Sequence, residues 1–327
     1  MGLNFNQAWL ESVARFRSET ATELFQAITF MGGVEGYLII IALIYGFFGK
    51  RLAVSASIVV LLSMIANHLL KTLIQNPRPF VEDGTYQDAW AVSAARASEL
   101  VAEYSTPSGH AMAAAAFYGF LVLRATDWRV RFGLILVPIL IGISRPVLGV
   151  HYFEDIALGW LLGGGIAAFA AYRIDAFWAR WCNLDIGMRT LFALLLSRAV
   201  WGATLALTGR SVSELPTEFV SVLGFLSGVL MAAPLEAKNI KYEVLERSLI
   251  TRGVRFILML SILVATLIIL EIPTLLISEP VGLVETVWRY VRYAIVGAIG
   301  VLFVPWLFIR MKLAASEQNP GEIDRAA

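Results

Sequence analysis

The sequence predicts an all-α polytopic membrane bundle of about nine transmembrane helices, with an interfacial helix at the amino terminus. Three observations lead there. Of the 327 residues, 58% are hydrophobic and only 16% charged, against an apolar share of about 45–50% in soluble domains. Apolar runs recur along the chain, several of them reaching the roughly 20 helical residues needed to cross a hydrocarbon core. Nothing shows the alternating short segments of a membrane barrel. A net charge of +1 gives no reason to expect nucleic acid as a partner, and the one cysteine, Cys182, excludes an intrachain disulfide and a thiolate metal cluster.

Residues 3–22 mix Phe5, Trp9, Leu10, Val13 and Phe16 with Asn6, Glu11, Arg15 and Arg17, a helical stripe too polar to span and suited to the interface. The same stretch lacks the basic start and cleavage site of a signal peptide, so residues 1–24 are expected to be an interfacial helix. The first span covers 25–48 and contains Glu35 within a Gly-Gly-Val-Glu-Gly run; the second covers 53–74 and carries Asn67, His68 and Lys71 near its far end. A polar connection, 75–106, holds Glu82, Asp83, Asp88, Glu99 and Glu103, and its second half has the apolar residues of an interfacial helix or a solvated lid.

Spans follow at 107–123, 132–143 (extended to about 148) and 151–172, then at 191–207, 219–233, 254–276 and 287–309. This divides the chain into a five-span core over 25–175, a four-helix extension over 176–315 and a polar tail over 316–327. Gly224, Gly228, Gly297 and Gly300 in the extension let helices approach closely, whether to widen a lateral groove, to seat a partner or to form a homo-oligomer.

Lys50 and Arg51, Arg124 to Arg131, Arg173 to Arg189, Lys238 to Arg255, and Arg310 with Lys312 fall on one side of this topology, which the positive-inside rule makes cytoplasmic, with the amino terminus outside. Arg15, Arg17, Arg96, Arg289 and Arg292 run against the rule. So do Lys71, Arg78 and Arg145, and these three share a side with the polar motifs.

The first motif is Lys71-Thr-Leu-Ile-Gln-Asn-Pro-Arg78-Pro79, where a helix bearing a lysine ends near an arginine fixed by the following proline. Snorkelling at a membrane edge would also explain these two cations. The second, Thr106-Pro107-Ser108-Gly109-His110, opens a helix whose free N–H groups suit an anion. The third runs from Ser144 to Asp155 and holds Arg145, His151, Glu154 and Asp155 between two apolar runs. If residues from Val150 onward are helical, His151 and Asp155 stand at i and i+4, and the carboxylate can hold the imidazole in one tautomer. An imidazole so oriented is a nucleophile or a base. His110, at a helix amino terminus, is the better proton donor. Three cations, a hydroxyl, a helix start and two imidazoles on one side suit a phosphoryl group and the charge on its oxygens.

Taken together, Lys-x6-Arg-Pro, Pro-Ser-Gly-His and Ser-Arg-x5-His-x3-Asp resemble the signature of the type 2 phosphatidic acid phosphatase superfamily, strongly over residues 71–155. The resemblance implies an integral membrane hydrolase of phosphoric esters or diphosphates that needs no metal or other cofactor. It implies that His151 attacks phosphorus to give a phosphohistidine, that Asp155 orients it and that His110 protonates the leaving alkoxide. Lys71, Arg78, Ser108, Gly109 and Arg145 would hold the phosphate. Nine spans with an outer amino terminus are more like glucose-6-phosphatases and sphingosine-phosphate phosphatases than the six-span members.

Outside the signature, Glu35 is an intramembrane carboxylate suited to pair with Lys71 or Arg78 or to meet a head group, and His68 is expected to support the site from one turn before Lys71. The expected substrate is a lipid phosphate monoester or diphosphate entering from the bilayer of the cytoplasmic membrane, with the site on its outer, periplasmic, extracellular or lumenal face. The alternatives are a phosphotransferase, a sugar-phosphate phosphatase, or a lipid or phosphate transporter. The two histidines and Asp155 argue against the transporter, because binding alone needs only the cations.

Overall fold

The computed structural model describes residues 5, 8–14, 18–79, 103–209, 217–244, 248–276 and 282–316. Among these, seven helices are long and apolar enough to cross a membrane, or eight if one bent pair is a single span. The protein is an integral membrane helix bundle. The third expected span, 107–123, is helical but short: α5 (Gly109–Arg124) has 16 residues.

Contacts sort the chain into two units, Met1–Tyr37 with Leu62–Arg173, and Leu38–Leu61 with Ile174–Ala327. The sequence-based division kept Leu38–Leu61 with the core instead. Three helices run through both units: α3 (Val34–Phe48), α4 (Lys50–Ile74) and α7 (Phe153–Asn183).

In the first unit the amino-terminal stripe is not one helix. Helix α1 covers Ala8–Ala14, and Ser18 then caps a separate helix, α2 (Glu19–Phe30), by accepting the Ala21 N–H at 3.2 Å. The first expected span is likewise broken, because α2 and α3 meet at 53° across Met31–Gly33. Gly36 makes this bend fit: a side chain there would run into the carbonyl oxygen of Phe30.

Helix α5 is the buried centre of this unit, covered from Ala111 through Phe117. Small residues set its partner. A Cβ on Gly159 of α7 would stand 3.0 Å from the Ser108 carbonyl oxygen, and one on Gly163 would reach the Met112 carbonyl oxygen and stand 2.9 Å from Ala115 Cβ. This glycine–alanine seam brings the amino termini of α5 and α7 together, as small residues do between membrane helices. Across α6 (Trp128–Val147), Trp160 of α7 covers Gly142 and donates its ring N–H to the Pro138 carbonyl at 3.0 Å. Helix α7 itself has 31 residues, about 46 Å at 1.5 Å per residue, and continues to Asn183, well past the expected end at Tyr172.

The second unit adds α8 (Ile186–Thr208), α9 (Thr217–Asn239), α10 (Leu249–Leu276) and a last span built from α11 (Gly282–Ala298), a π-helical turn (Ile299–Phe303) and α12 (Val304–Arg310). Side chains at Gly224 or Gly228 of α9 would strike the carbonyl oxygens of Tyr290 or Ala294 of α11, and one at Gly297 would stand 2.7 Å from the Phe225 oxygen. These three glycines therefore serve a contact inside the chain, while Gly300 lies beside Leu263. Ser316, expected as the start of a polar tail, pairs in a short antiparallel ladder with Tyr242, in which β1 is Tyr242–Glu243 and β2 is Ala315–Ser316. The rest of that tail, 317–327, lies outside the described residues, as does 80–102, where the interfacial or lid segment was expected.

Candidate active site

The third motif owes its geometry to how α6 ends. Gly149 takes φ +80°, the left-handed conformation that glycine reaches without a Cβ penalty. The Gly149 N–H then bonds to the Pro146 oxygen at 3.0 Å and the Val150 N–H to the Arg145 oxygen at 3.1 Å, which is the Schellman closure of a helix. That turn folds the chain back so that His151 stays near Arg145.

His151 and Asp155 meet as expected, but not on one helix. Helix α7 starts only at Phe153, so His151 lies in the turn before it. Asp155 reaches back over the helix start and accepts the Tyr152 N–H at 3.0 Å. The same oxygen, Oδ2, lies 3.1 Å from Nδ1 of His151 and accepts the Ser105 hydroxyl, while Oδ1 accepts the Thr106 hydroxyl at 2.6 Å. Asn76 completes the support: its Nδ2 donates to Thr106 Oγ1 at 3.0 Å and its carbonyl accepts the Ser105 N–H at 2.7 Å.

This set of bonds fixes the tautomer. A carboxylate can only accept, so Nδ1 of His151 carries the hydrogen and Nε2 keeps its lone pair. Arg78 Nη1 lies 3.3 Å from that Nε2. Burial, with Arg78, Arg145 and Lys71 nearby, holds the His151 ring well below the usual imidazole pKa, and therefore neutral.

Arg78 is nearly fully buried, and its place follows from the end of α4. Gln75 takes φ +52° after the last helical turn and redirects Asn76, Pro77 and Arg78. The guanidinium donates to the Val150 oxygen at 3.1 Å, to the Glu103 oxygen at 3.2 Å and to Glu103 Oε2 at 2.8 Å. Lys71 Nζ shares that Oε2 at 3.4 Å. Burial raises the Glu103 carboxyl, but Lys71 and Arg78 outweigh it and hold the group below the usual carboxylate pKa.

The second motif faces this cluster. Ser108 is the N-cap of α5, and its N–H bonds to the Asp155 oxygen at 3.0 Å. Its buried hydroxyl has no hydrogen-bond partner among the described residues. A Cβ at Gly109 would stand 3.1 Å from Asn67 Oδ1, and Asn67 holds the turn through a 3.0 Å bond to the Pro107 oxygen. His110 lies within electrostatic reach of Arg145, His151, Lys71 and Arg78. Arg145 is placed by a 2.6 Å bond from Nη1 to Thr29 Oγ1.

The structure thus brings Lys71, Arg78, Ser108, Gly109, His110, Arg145, His151 and Asp155 together. Glu35 does not join them: it is exposed in the first turn of α3, and Lys71 and Arg78 pair with Glu103 instead. His68 is half-buried in the α4 turn before Lys71. Sequence reasoning gave no role to Asn67, Asn76, Ser105 or Thr106 and placed Glu103 among the acids of a lid. The available signal was position: two hydroxyl residues directly precede or open the second motif, and Asn76 stands inside the first.

Fold and site define a polytopic helical membrane protein with a buried histidine–aspartate dyad facing three cations and a helix start. A profile of the PAP2 superfamily matches residues 52–179, and one of the PAP2 superfamily phosphatase transmembrane extension matches 220–316. The chain belongs to the PAP2 superfamily. It is 36% identical over 74 residues to an undecaprenyl-diphosphatase of Sulfolobus acidocaldarius, a match spanning 23% of this chain and 35% of that protein. Among solved structures it resembles the first transmembrane PAP2 type phosphatidylglycerolphosphate phosphatase from Bacillus subtilis, with 22% identity and a TM-score of 0.42 over 52% of this chain and 84% of that one. It also resembles Aquifex aeolicus LpxE, with 20% identity and a TM-score of 0.43 over 52% of this chain and 98% of that one.

Proposed function

We propose that the chain is a metal-independent membrane phosphatase that hydrolyses a lipid phosphate monoester or diphosphate at the outer membrane face. The observation that carries this reading is the His151 ring: Nδ1 lies 3.1 Å from the Asp155 carboxylate and Nε2 3.3 Å from Arg78, so its lone pair faces the cations. In the first step Nε2 attacks phosphorus, the P–O bond to the leaving group breaks, and His110, which takes up a proton as the bound phosphate's negative charge offsets Arg145, Lys71 and Arg78 beside it, gives that proton to the departing oxygen. Water then attacks the phosphohistidine, neutral His110 takes its proton, and the P–N bond breaks to release phosphate and neutral His151. Lys71, Arg78, Arg145, the Ser108 hydroxyl and the amide groups opening α5 hold the charge on the phosphoryl oxygens.

The undecaprenyl-diphosphatase relative favours an isoprenoid diphosphate within this class, and the membrane setting suits a substrate that enters from lipid. The test is phosphate release by purified protein in EDTA from phosphatidic acid, phosphatidylglycerol phosphate, an isoprenyl diphosphate, a sphingoid phosphate and glucose 6-phosphate, beside His151→Ala. Release lost on substitution supports the reading, and the ranking selects the substrate. No release from any of them by folded protein that still binds lipid would turn the assignment to transfer or transport.

A further inference from the structure

The break between α2 and α3 borders the candidate active site. At Met31–Gly33 the chain is closed by bonds from the Met31, Gly32 and Gly33 N–H groups to the Ile28, Thr29 and Phe30 oxygens at 3.2, 2.9 and 3.0 Å. Helix α5 holds the break from one side, where the Tyr118 hydroxyl donates to the Met31 oxygen at 3.1 Å. Helix α6 holds it from the other. A Cβ on the buried Gly32 would stand 2.7 Å from Ile141 Cγ2, one turn before Arg145, and 3.4 Å from His110 Cδ2. The break is therefore fixed to the two helices that carry His110 and Arg145.

Thr29, half-buried in the last turn of α2, accepts Arg145 Nη1 at 2.6 Å across 116 positions of sequence. The kind of acceptor matters. Lys71 and Arg78 share the carboxylate of Glu103, which offsets their charge and occupies donors that a phosphoryl oxygen needs. A hydroxyl carries no charge, so it fixes the guanidinium through one of its N–H donors without neutralising it. Threonine is also stiff at χ1, so the accepting oxygen points in one direction.

We propose that Thr29 is a positioning residue of the active site, holding Arg145 in the orientation that meets the phosphoryl group, so that the broken first span is part of the catalytic unit. This role rests on the phosphatase reading for its chemistry, but anion binding alone reports the placement of Arg145.

The experiment is calorimetric titration of purified full-length protein with orthovanadate, beside Thr29→Val, which keeps the shape and loses the oxygen, and Thr29→Ser, which keeps the oxygen. Thr29→Val is expected to weaken binding roughly tenfold, the scale of one hydrogen bond to a charged group. Thr29→Ser should recover most of that loss. Arg145→Ala removes what Thr29 holds, so adding Thr29→Val to it should weaken binding no further. Undiminished binding by Thr29→Val would overturn the proposal, as would an equal loss in Thr29→Ser or a further loss in the double variant. Phosphate release that His151→Ala abolishes and Thr29→Val leaves unchanged would remove this role and keep the phosphatase reading. No release from any lipid phosphate, with vanadate weakened as expected in Thr29→Val, would sink that reading and keep Thr29 as the residue that orients Arg145 toward an anion. No vanadate bound by the unaltered chain would sink both.

Discussion

Asp155 Oδ2 stands 3.1 Å from His151 Nδ1 while accepting the Tyr152 amide at 3.0 Å, so one oxygen both caps α7 and orients the imidazole. The two duties go together. In Asp155→Asn an amide nitrogen at the Oδ2 position could accept neither bond and would favour the wrong tautomer, while an amide oxygen there would turn the nitrogen onto the Thr106 hydroxyl and take the negative charge off the ring. The expected loss in kcat is on the order of 10³–10⁴, the scale seen when an orienting aspartate is so changed. Tm should fall by only a few degrees. A variant with near-normal kcat would remove Asp155 from the orienting role.

Glu103 places a carboxylate on Arg78 and Lys71, where a phosphoryl oxygen would have to bind. Substrate must therefore displace this carboxylate or share the cations with it. Glu103→Gln removes the competing charge, and orthovanadate inhibition is expected to tighten by roughly tenfold, about 1.4 kcal/mol. Weaker inhibition would instead mean that Glu103 is needed to hold the two cations in place.

The direction of the His151 shift sets an acid limit on stability. Its folded-state pKa lies well below the unfolded value of about 6.5, so the unfolded chain binds more protons as pH falls through that value. Stability should be full above about pH 7 and decline below about 6.5. Glu103, held below its usual range, adds a second decline as pH falls through about 4. Thermal melts across this range would check both, and His151→Asn should shrink the first decline, leaving the part contributed by His110 beside the same cations, and should keep the second. Because neutral Nε2 persists in mild acid, the nucleophile's limb in kcat/KM should also lie well below 6.5.

The parts of the site legible in the sequence were those costly to place at membrane depth. Lys71, Arg78, Arg145, His110, His151 and Asp155 stood out because ionisable groups among apolar runs need a reason. Ser105 and Thr106 did not, since hydroxyls are common and their partner Asp155 lies 50 and 49 positions away. Glu103 was one acid among several, and only the fold shows it turned onto the cations. Span positions followed from hydropathy, but the break at Met31–Gly33 and the short length of α5 depend on what packs against them, namely the Phe30–Gly36 contact and the seam with Gly159 and Gly163.

Gly149 tests whether the turn before His151 is tuned or merely permitted. At φ +80°, alanine would be strained while nothing else in the motif changes. Gly149→Ala is expected to cost about 1 kcal/mol, and by loosening the Val150–Arg145 closure it should lower kcat more than it raises KM. Gly149→Asn, which tolerates this conformation better, should recover part of the loss. Equal kcat in all three would show that the position of His151 is set elsewhere.

The glycines of the extension give a contrast within one unit. A side chain at Gly228 would meet the Ala294 carbonyl oxygen, whereas one at Gly202 of α8 has open space around it. If the first position serves packing inside the chain, Gly228→Leu should destabilise by about 1–3 kcal/mol or more through overpacking, with the oligomeric state unchanged. Gly202→Leu should be neutral in Tm. Should Gly228→Leu instead fold normally and shift the protein between oligomers on size-exclusion chromatography with light scattering, then the α9–α11 seam must exchange between copies. In that case the homo-oligomer contact expected from these small residues would be real, and the close approach of Gly228 to Ala294 would describe only one of the arrangements the two helices adopt.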